Sequence, residues 1–210
     1  MTSSTPRLDH LVLAAPDLAA AVRAFAERTG VEPARGGSHI GLGTANFLVD
    51  LGDGSYLEII GPDLDQPPPD LPRPFGIDDL TEPRLVTWAV RTDDLDALVA
   101  EARDGGYDPG EPRAMSRHTA DGELLEWRLT MPRFDYADGL VPFVIDWGTS
   151  PHPTSRPLPR APLREFHAIH PDPSSVRPAL AAMRVDLHID IGEVAELRAV
   201  VDGTSDPVTL

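Results

Sequence analysis

An α+β fold of repeated βαβββ modules, forming curved, mostly antiparallel sheets with helices on their convex side, follows from three observations. The order strand, helix, three strands begins at Leu8, restarts at Leu85 and restarts again, abbreviated, at Leu163. Each restart carries an acidic or serine helix cap ahead of an apolar stripe. Proline-rich stretches separate the copies. The chain therefore divides into a first module over 8–61, a connector over 62–84, a second module over 85–148, a connector over 149–162 and a third, shortened module over 163–210.

Leu8 to Ala14 is a short apolar run bounded by Pro16 and reads as a strand. Asp17 caps a helix over Leu18 to Thr29, with Leu18, Val22 and Phe25 on one face and Gly30 as the stop. A strand near Ala34 to Ile40 precedes two alternating runs joined by Gly52-Asp53-Gly54, a β-hairpin. In the second copy, Leu85 to Val90 is a strand, and Asp94 caps a helix carrying Leu95, Leu98, Val99 and Ala102. Arg113 to His118, Leu124 to Leu129 and Pro142 to Trp147 follow as strands, with a turn at Asp121-Gly122. In the third copy Leu163 to Ile169 is strand-like, and Val176, Leu180 and Met183 stripe a helix capped by Ser174 or Ser175. Pro178 is tolerated there only in a first turn. Val185 to Ile191, Glu196 to Val201 and Val208 to Leu210 close the chain as strands, and His167, His170 and Asp172 read as loop residues.

Composition removes whole classes of function. There is no cysteine, which excludes disulfides, thiolate metal sites and a cysteine nucleophile. All 18 basic residues are arginine, so no lysine can form a Schiff base. A formal net charge of −16 argues against nucleic acid and anionic membranes as partners. No run reaches the length of a membrane span, and Met1 to Arg7 lacks the features of a signal peptide, so the cytoplasm is the expected location. A glycine-rich phosphate loop and a GxSxG elbow are both missing.

Polar chemistry concentrates between His39 and Ile60. Glu58, flanked by Leu57 and Ile59, is costly to bury unless a cation, a donor or a metal meets it. Period-two alternation puts His10 on one face of the first strand and Tyr56, Glu58 and Ile60 on one face of the last, so His10 and Glu58 can converge, with His39 joining them. Gly41 and Gly43 serve a bend, and Asn46 either satisfies backbone there or faces the pocket. Phe143, Ile145 and Trp147 share a face, beside Trp127 in the neighbouring strand. Arg117 and Arg128 are the candidates to hold an anionic or carbonyl-bearing ligand, since guanidinium forks match carboxylates. Two imidazoles and a carboxylate make a ligand set for a divalent metal. They equally make a polar pocket without one.

LDHLVLAAPDL followed by HIGLGTANFLVDLGDGSYLEIIGP resembles the first module of glyoxalase-like domain proteins of the vicinal oxygen chelate superfamily, and DGELLEWRL with VPFVIDWG is similar to their second module. The resemblance spans most of Leu8 to Gly148. It implies paired βαβββ modules and a metal centre with ligands from the first and last strands of each module. The matching positions are His10 and Glu58 in the first module, Thr87 and Ile145 in the second, and Phe166 opens the third. Half of that ligand set is present. A divalent zinc, iron, manganese or nickel ion is one reading of the cofactor, and none is the other. Two functions stand: a divalent-metal-dependent lyase, isomerase or dioxygenase with Glu58 and His39 as catalytic groups, or a metal-free protein whose cavity, lined by Phe143 and Trp147 as ligand-binding residues beside Asn46, sequesters a small organic molecule. Three modules cannot pair two by two in one chain, so either a homodimer or a third module against the edge of the first two is expected.

Overall fold

The computed structural model describes residues 5–119, 122–131 and 137–210; Asp121, half of the expected turn at Asp121-Gly122, lies outside them. The first copy comprises β1 (Arg7–Ala14), α1 (Leu18–Thr29), β2 (Ala34–His39), β3 (Thr44–Gly52) and β4 (Ser55–Pro62). The second comprises β5 (Arg84–Arg91), α2 (Leu95–Asp104), β6 (Arg113–Thr119), β7 (Leu124–Leu129) and β8 (Phe143–Asp146). These eight strands do not stay as open sheets. They close into a barrel in the order β1-β4-β3-β2-β6-β7-β8-β5. Closure comes from two antiparallel seams between the copies, β1 with β5 and β2 with β6, which remove the free edges.

Alternation along the strands sorts the barrel wall into two faces. Val12, Leu48, Tyr56, Ile60, Val86, Leu125, Trp127, Phe143 and Ile145 form the inner apolar cluster. Leu11, Leu13, Leu57, Ile59, Trp88, Val90 and Val144 point outward, where they pack on Leu18, Val22 and Phe25 of α1 and Leu95, Leu98 and Val99 of α2. Both helices are fixed at their N-termini by an aspartate: Ala20 N–H donates to Asp17 at 2.9 Å and Ala97 N–H to Asp94 at 3.0 Å. Each such cap contributes about 1 kcal/mol.

The third copy comprises β9 (Leu163–His170), α3 (Pro173–Ala182), β10 (Ile189–Ile191), β11 (Glu196–Asp202) and β12 (Pro207–Thr209). Its element order repeats but its pairing does not: the sheet runs β10-β9-β11-β12, so the first strand lies beside the second rather than the last. It does not cover an edge, because the closed barrel leaves none. Instead Ala168, Leu197, Ala199 and Val201 join the outer core, and Phe166 meets Trp88 edge-on with ring centroids 5.2 Å apart. Asp172, not a serine, caps α3, which puts Pro173 in the first turn. His167 and His170 belong to β9 rather than to a loop. Pro178 sits inside α3, where it removes one helical hydrogen bond. Val176, Ala179 and Leu180 are buried around it and hold the helix by packing.

Neither connector hangs free of the barrel. The first carries a 3-10 turn over Pro74–Asp79 with Ile77 buried. The second is stitched to β3 by Ala161 N–H to Asp50 O at 2.9 Å and Asp50 N–H to Pro159 O at 2.8 Å.

Candidate functional site

The barrel interior holds a cavity of about 80 Å³ lined by residues of both copies, among them His10, His39, Asn46, Glu58, Arg117, Phe143 and Trp147. Glu58 is its centre. Its two oxygens face two imidazoles, Oε2 at 3.8 Å from His10 Nε2 and Oε1 at 3.9 Å from His39 Nε2. The opposite nitrogen of each ring is occupied: His10 Nδ1 lies 2.6 Å from Asp9 Oδ1 and His39 Nδ1 lies 3.0 Å from Thr44 Oγ1. Those contacts orient both rings so that each Nε2 points at the carboxylate.

Asp9 is the residue that sequence reasoning missed. Period-two alternation puts it on the opposite face from His10, outside the barrel. A β-bulge overrides that, since Leu8 pairs with Val90 and His10 with Ala89, leaving Asp9 as the extra residue. Its fully buried carboxylate then collects His10 Nδ1, the Trp147 indole N–H at 3.1 Å and His152 Nε2 at 3.0 Å. Burial opposes its ionisation, but the hydrogen bonds from His10 and His152 outweigh that, and the carboxyl is held well below the usual range. His152 comes from the second connector, a segment whose prolines carried no signal of a site.

Glu58 Oε1 also accepts a hydrogen bond of 2.6 Å from Asn46 Nδ2, and Asn46 Oδ1 is buried without a partner. That oxygen lies against Gly36, where a Cβ would sit 2.2 Å from it and 3.0 Å from Leu48 Cγ. Gly36→Ala is therefore expected to displace Asn46 from Glu58 and to cost about 1–3 kcal/mol. Urea denaturation measures this; an unchanged midpoint would show that the Asn46 amide is free to move.

Burial pushes the His39 imidazolium pKa down against the pull of Glu58. The unfolded chain then takes up a proton at His39 before the folded one does, so stability falls as pH drops through the ordinary histidine range near 6.5. His39→Gln should flatten the decline in urea midpoint between pH 7 and 5, and a parallel decline in both proteins would remove His39 as its source.

Arg117 is buried, and its Nη1 donates to Gly36 O at 2.5 Å. Among the described residues no carboxylate lies within 4.0 Å of its guanidinium. Arg128 does not join it: it is half exposed on the outer face and pairs in a fork with Asp96 at 2.8 and 2.9 Å. Trp127, buried in the inner cluster, lines the cavity with its indole N–H unpartnered. The aromatic wall is completed by Tyr56, stacked on His10 at 4.7 Å, and by Phe143, edge-on to His10 at 5.4 Å.

The metal centre that the resemblance implies does not fit these residues. Thr87, at the matching first-strand position of the second copy, is buried with its hydroxyl unpartnered, and Ile145 is part of the apolar lining. Asn46 already holds one Glu58 oxygen. No group of three His, Asp or Glu among the described residues is arranged to hold a metal ion.

Residues 8–183 match the family described as Glyoxalase-like domain. The chain belongs to the glyoxalase-like domain family. Of solved structures, this glyoxalase-like chain is similar to a hypothetical protein from Staphylococcus aureus, at 14% identity over 91% of this chain and 88% of that one, with a TM-score of 0.65. It also matches methylmalonyl-CoA epimerases. That from Mycobacterium tuberculosis is 18% identical over 74% of this chain and 97% of that one, TM-score 0.45. That from Streptomyces coelicolor, in complex with 2-nitronate-propionyl-CoA, is 21% identical over 70% and 100%, TM-score 0.46. No curated protein matches the glyoxalase-like chain. The Staphylococcus aureus likeness speaks to the fold alone, and no residue's role is carried across from any of these structures.

Proposed function

We propose that the barrel cavity is the site of a metal-free proton transfer on a small carbonyl compound, an isomerase- or lyase-type reaction. The observation that carries this is the Glu58 carboxylate set between two imidazole Nε2 atoms in a largely apolar cavity. Glu58 takes a proton from the carbon next to the ligand's carbonyl, and the electron pair moves onto the carbonyl oxygen. Arg117 and the unpartnered Trp127 N–H are the donors available to that developing negative charge. His10, oriented through Nδ1 by Asp9, returns a proton to carbon, while His39 and Asn46 hold Glu58 in place.

A second reading, capture of a ligand without chemistry, is favoured by the apolar remainder of the wall, with Phe75, Met115, Phe143 and Trp147. A panel of small 2-oxo, 2-hydroxy and acyl compounds incubated with the protein in D₂O and followed by proton NMR separates the two. Deuterium gained at the carbon next to the carbonyl supports proton transfer; compounds that bind without exchange support sequestration. Metal content of protein purified without chelator tests the remaining alternative, since stoichiometric metal lost in Glu58→Gln would favour a metal-dependent lyase, isomerase or dioxygenase.

No described helix is long and apolar enough to cross a membrane. The acidic, cysteine-free composition supports a cytoplasmic protein working on a small-molecule ligand. The cavity wall comes from both copies within one chain, so a homodimer is not needed to complete it.

A further inference from the structure

A second cavity of about 160 Å³ meets the barrel cavity at Arg117, the residue lining both. Its walls are Arg35 and Gly36 of β2, Leu48 of β3, Arg117 and Thr119 of β6, Leu125 of β7 and the connector segment that carries Pro151, His152, Arg156 and Leu158. Every charged side chain in that lining is an arginine, and no carboxylate is among them. The chain carries 34 acidic residues against 18 basic ones, so three guanidiniums and an imidazole around one small cavity run against its overall charge. Arg156 is paired with Glu123 at the rim, and His152 holds Asp9. Arg117, 5% exposed, meets a backbone carbonyl and not a carboxylate among the described residues. Burial opposes the Arg117 charge, Glu58 in the barrel cavity partly offsets that, and Arg156 in the side cavity opposes it again. A buried guanidinium beside a second one is costly unless an anion completes the cluster.

We propose that this side cavity is an anion subsite, in which Arg35, Arg117 and Arg156 bind a phosphate or carboxylate group borne by the substrate whose carbonyl lies in the barrel cavity. Guanidinium forks match the oxygens of either group, so the shared chemistry is an oxyanion of that size. That the anion belongs to the substrate rests on the proton-transfer reading; that the cavity binds an oxyanion does not.

Calorimetric titration with inorganic phosphate, and separately with acetate, at constant ionic strength tests it. Saturable 1:1 binding is expected for at least one, weakened about tenfold or more in Arg35→Gln and in Arg156→Gln and unchanged in Arg128→Gln, each lost charge-assisted contact supplying that factor. Tighter phosphate points to a phosphorylated substrate and tighter acetate to a carboxylic acid. No saturable binding of either, or equal weakening in Arg128→Gln, overturns the subsite. Phosphate should also raise the KM of whichever panel compound exchanges, leaving kcat unchanged; phosphate bound without competition overturns its place on the substrate. Anion binding in a protein that exchanges no panel compound would sink the proton-transfer reading alone.

Discussion

Replacing Glu58 by Gln should lower deuterium exchange into the best panel compound by about 10²–10⁴-fold, the span expected when a positioned general base is removed. Fold and ligand affinity should persist. Gln keeps the length of the side chain, and its carbonyl oxygen can still accept from Asn46 Nδ2, which now stands 2.6 Å from Glu58 Oε1. The loss should therefore fall on kcat with KM little changed, the signature of an interaction made in the transition state. His39→Gln should cost less than Glu58→Gln, because His39 positions the base rather than acting as it. Exchange in Glu58→Gln within a factor of about three of wild type would remove Glu58 as the base, since a lost general base costs far more.

Asp9→Ala is expected to be the most destabilising single change in the site, by about 3–5 kcal/mol, because it strands buried donors that meet on one carboxylate. His10, Trp147 and His152 all lose their partner at once. Asp9→Asn, which keeps an acceptor oxygen, should lose less. The pH dependence has a definite sign. The folded carboxyl is held below its ordinary value, so its contribution is complete above the ordinary carboxylate range near pH 4 and is lost as pH falls below it toward the folded value. Urea midpoints between pH 7 and pH 2.5 should therefore drop more steeply for wild type than for Asp9→Asn. An Asp9→Ala protein as stable as wild type at pH 7 would mean that the three donors find water instead.

The barrel wall was legible because alternation is a local property. His10, Tyr56, Glu58, Phe143, Ile145 and Trp147 share the inner face that period two assigns them, and six of the seven expected ligand-binding or catalytic positions, with His10, line one cavity. The seventh, Arg128, carried its own disproof: Trp127 faces inward, so its neighbour in the same strand must face out. Asp9 was hidden for the opposite reason. A bulge shifts the phase of a strand by one residue, and it is set by the partner β5, which the run LDHLVLA does not contain. Closure into a barrel was equally out of reach, because the seams β1–β5 and β2–β6 join residues seventy or more positions apart.

The hydrogen bond from His152 to Asp9 joins residues 143 positions apart. During synthesis, every strand of the barrel leaves the ribosome before the residue that completes the Asp9 cluster does. A nascent chain halted at residue 150 would hold α1, α2 and the barrel strands, yet Asp9 would lack one of its donors and the side cavity would lack Pro151, His152, Arg156 and Leu158. Contacts of such long range are the slow ones to form. Refolding should therefore show the barrel's circular dichroism recovering ahead of the fluorescence of Trp147, which reports on the cluster.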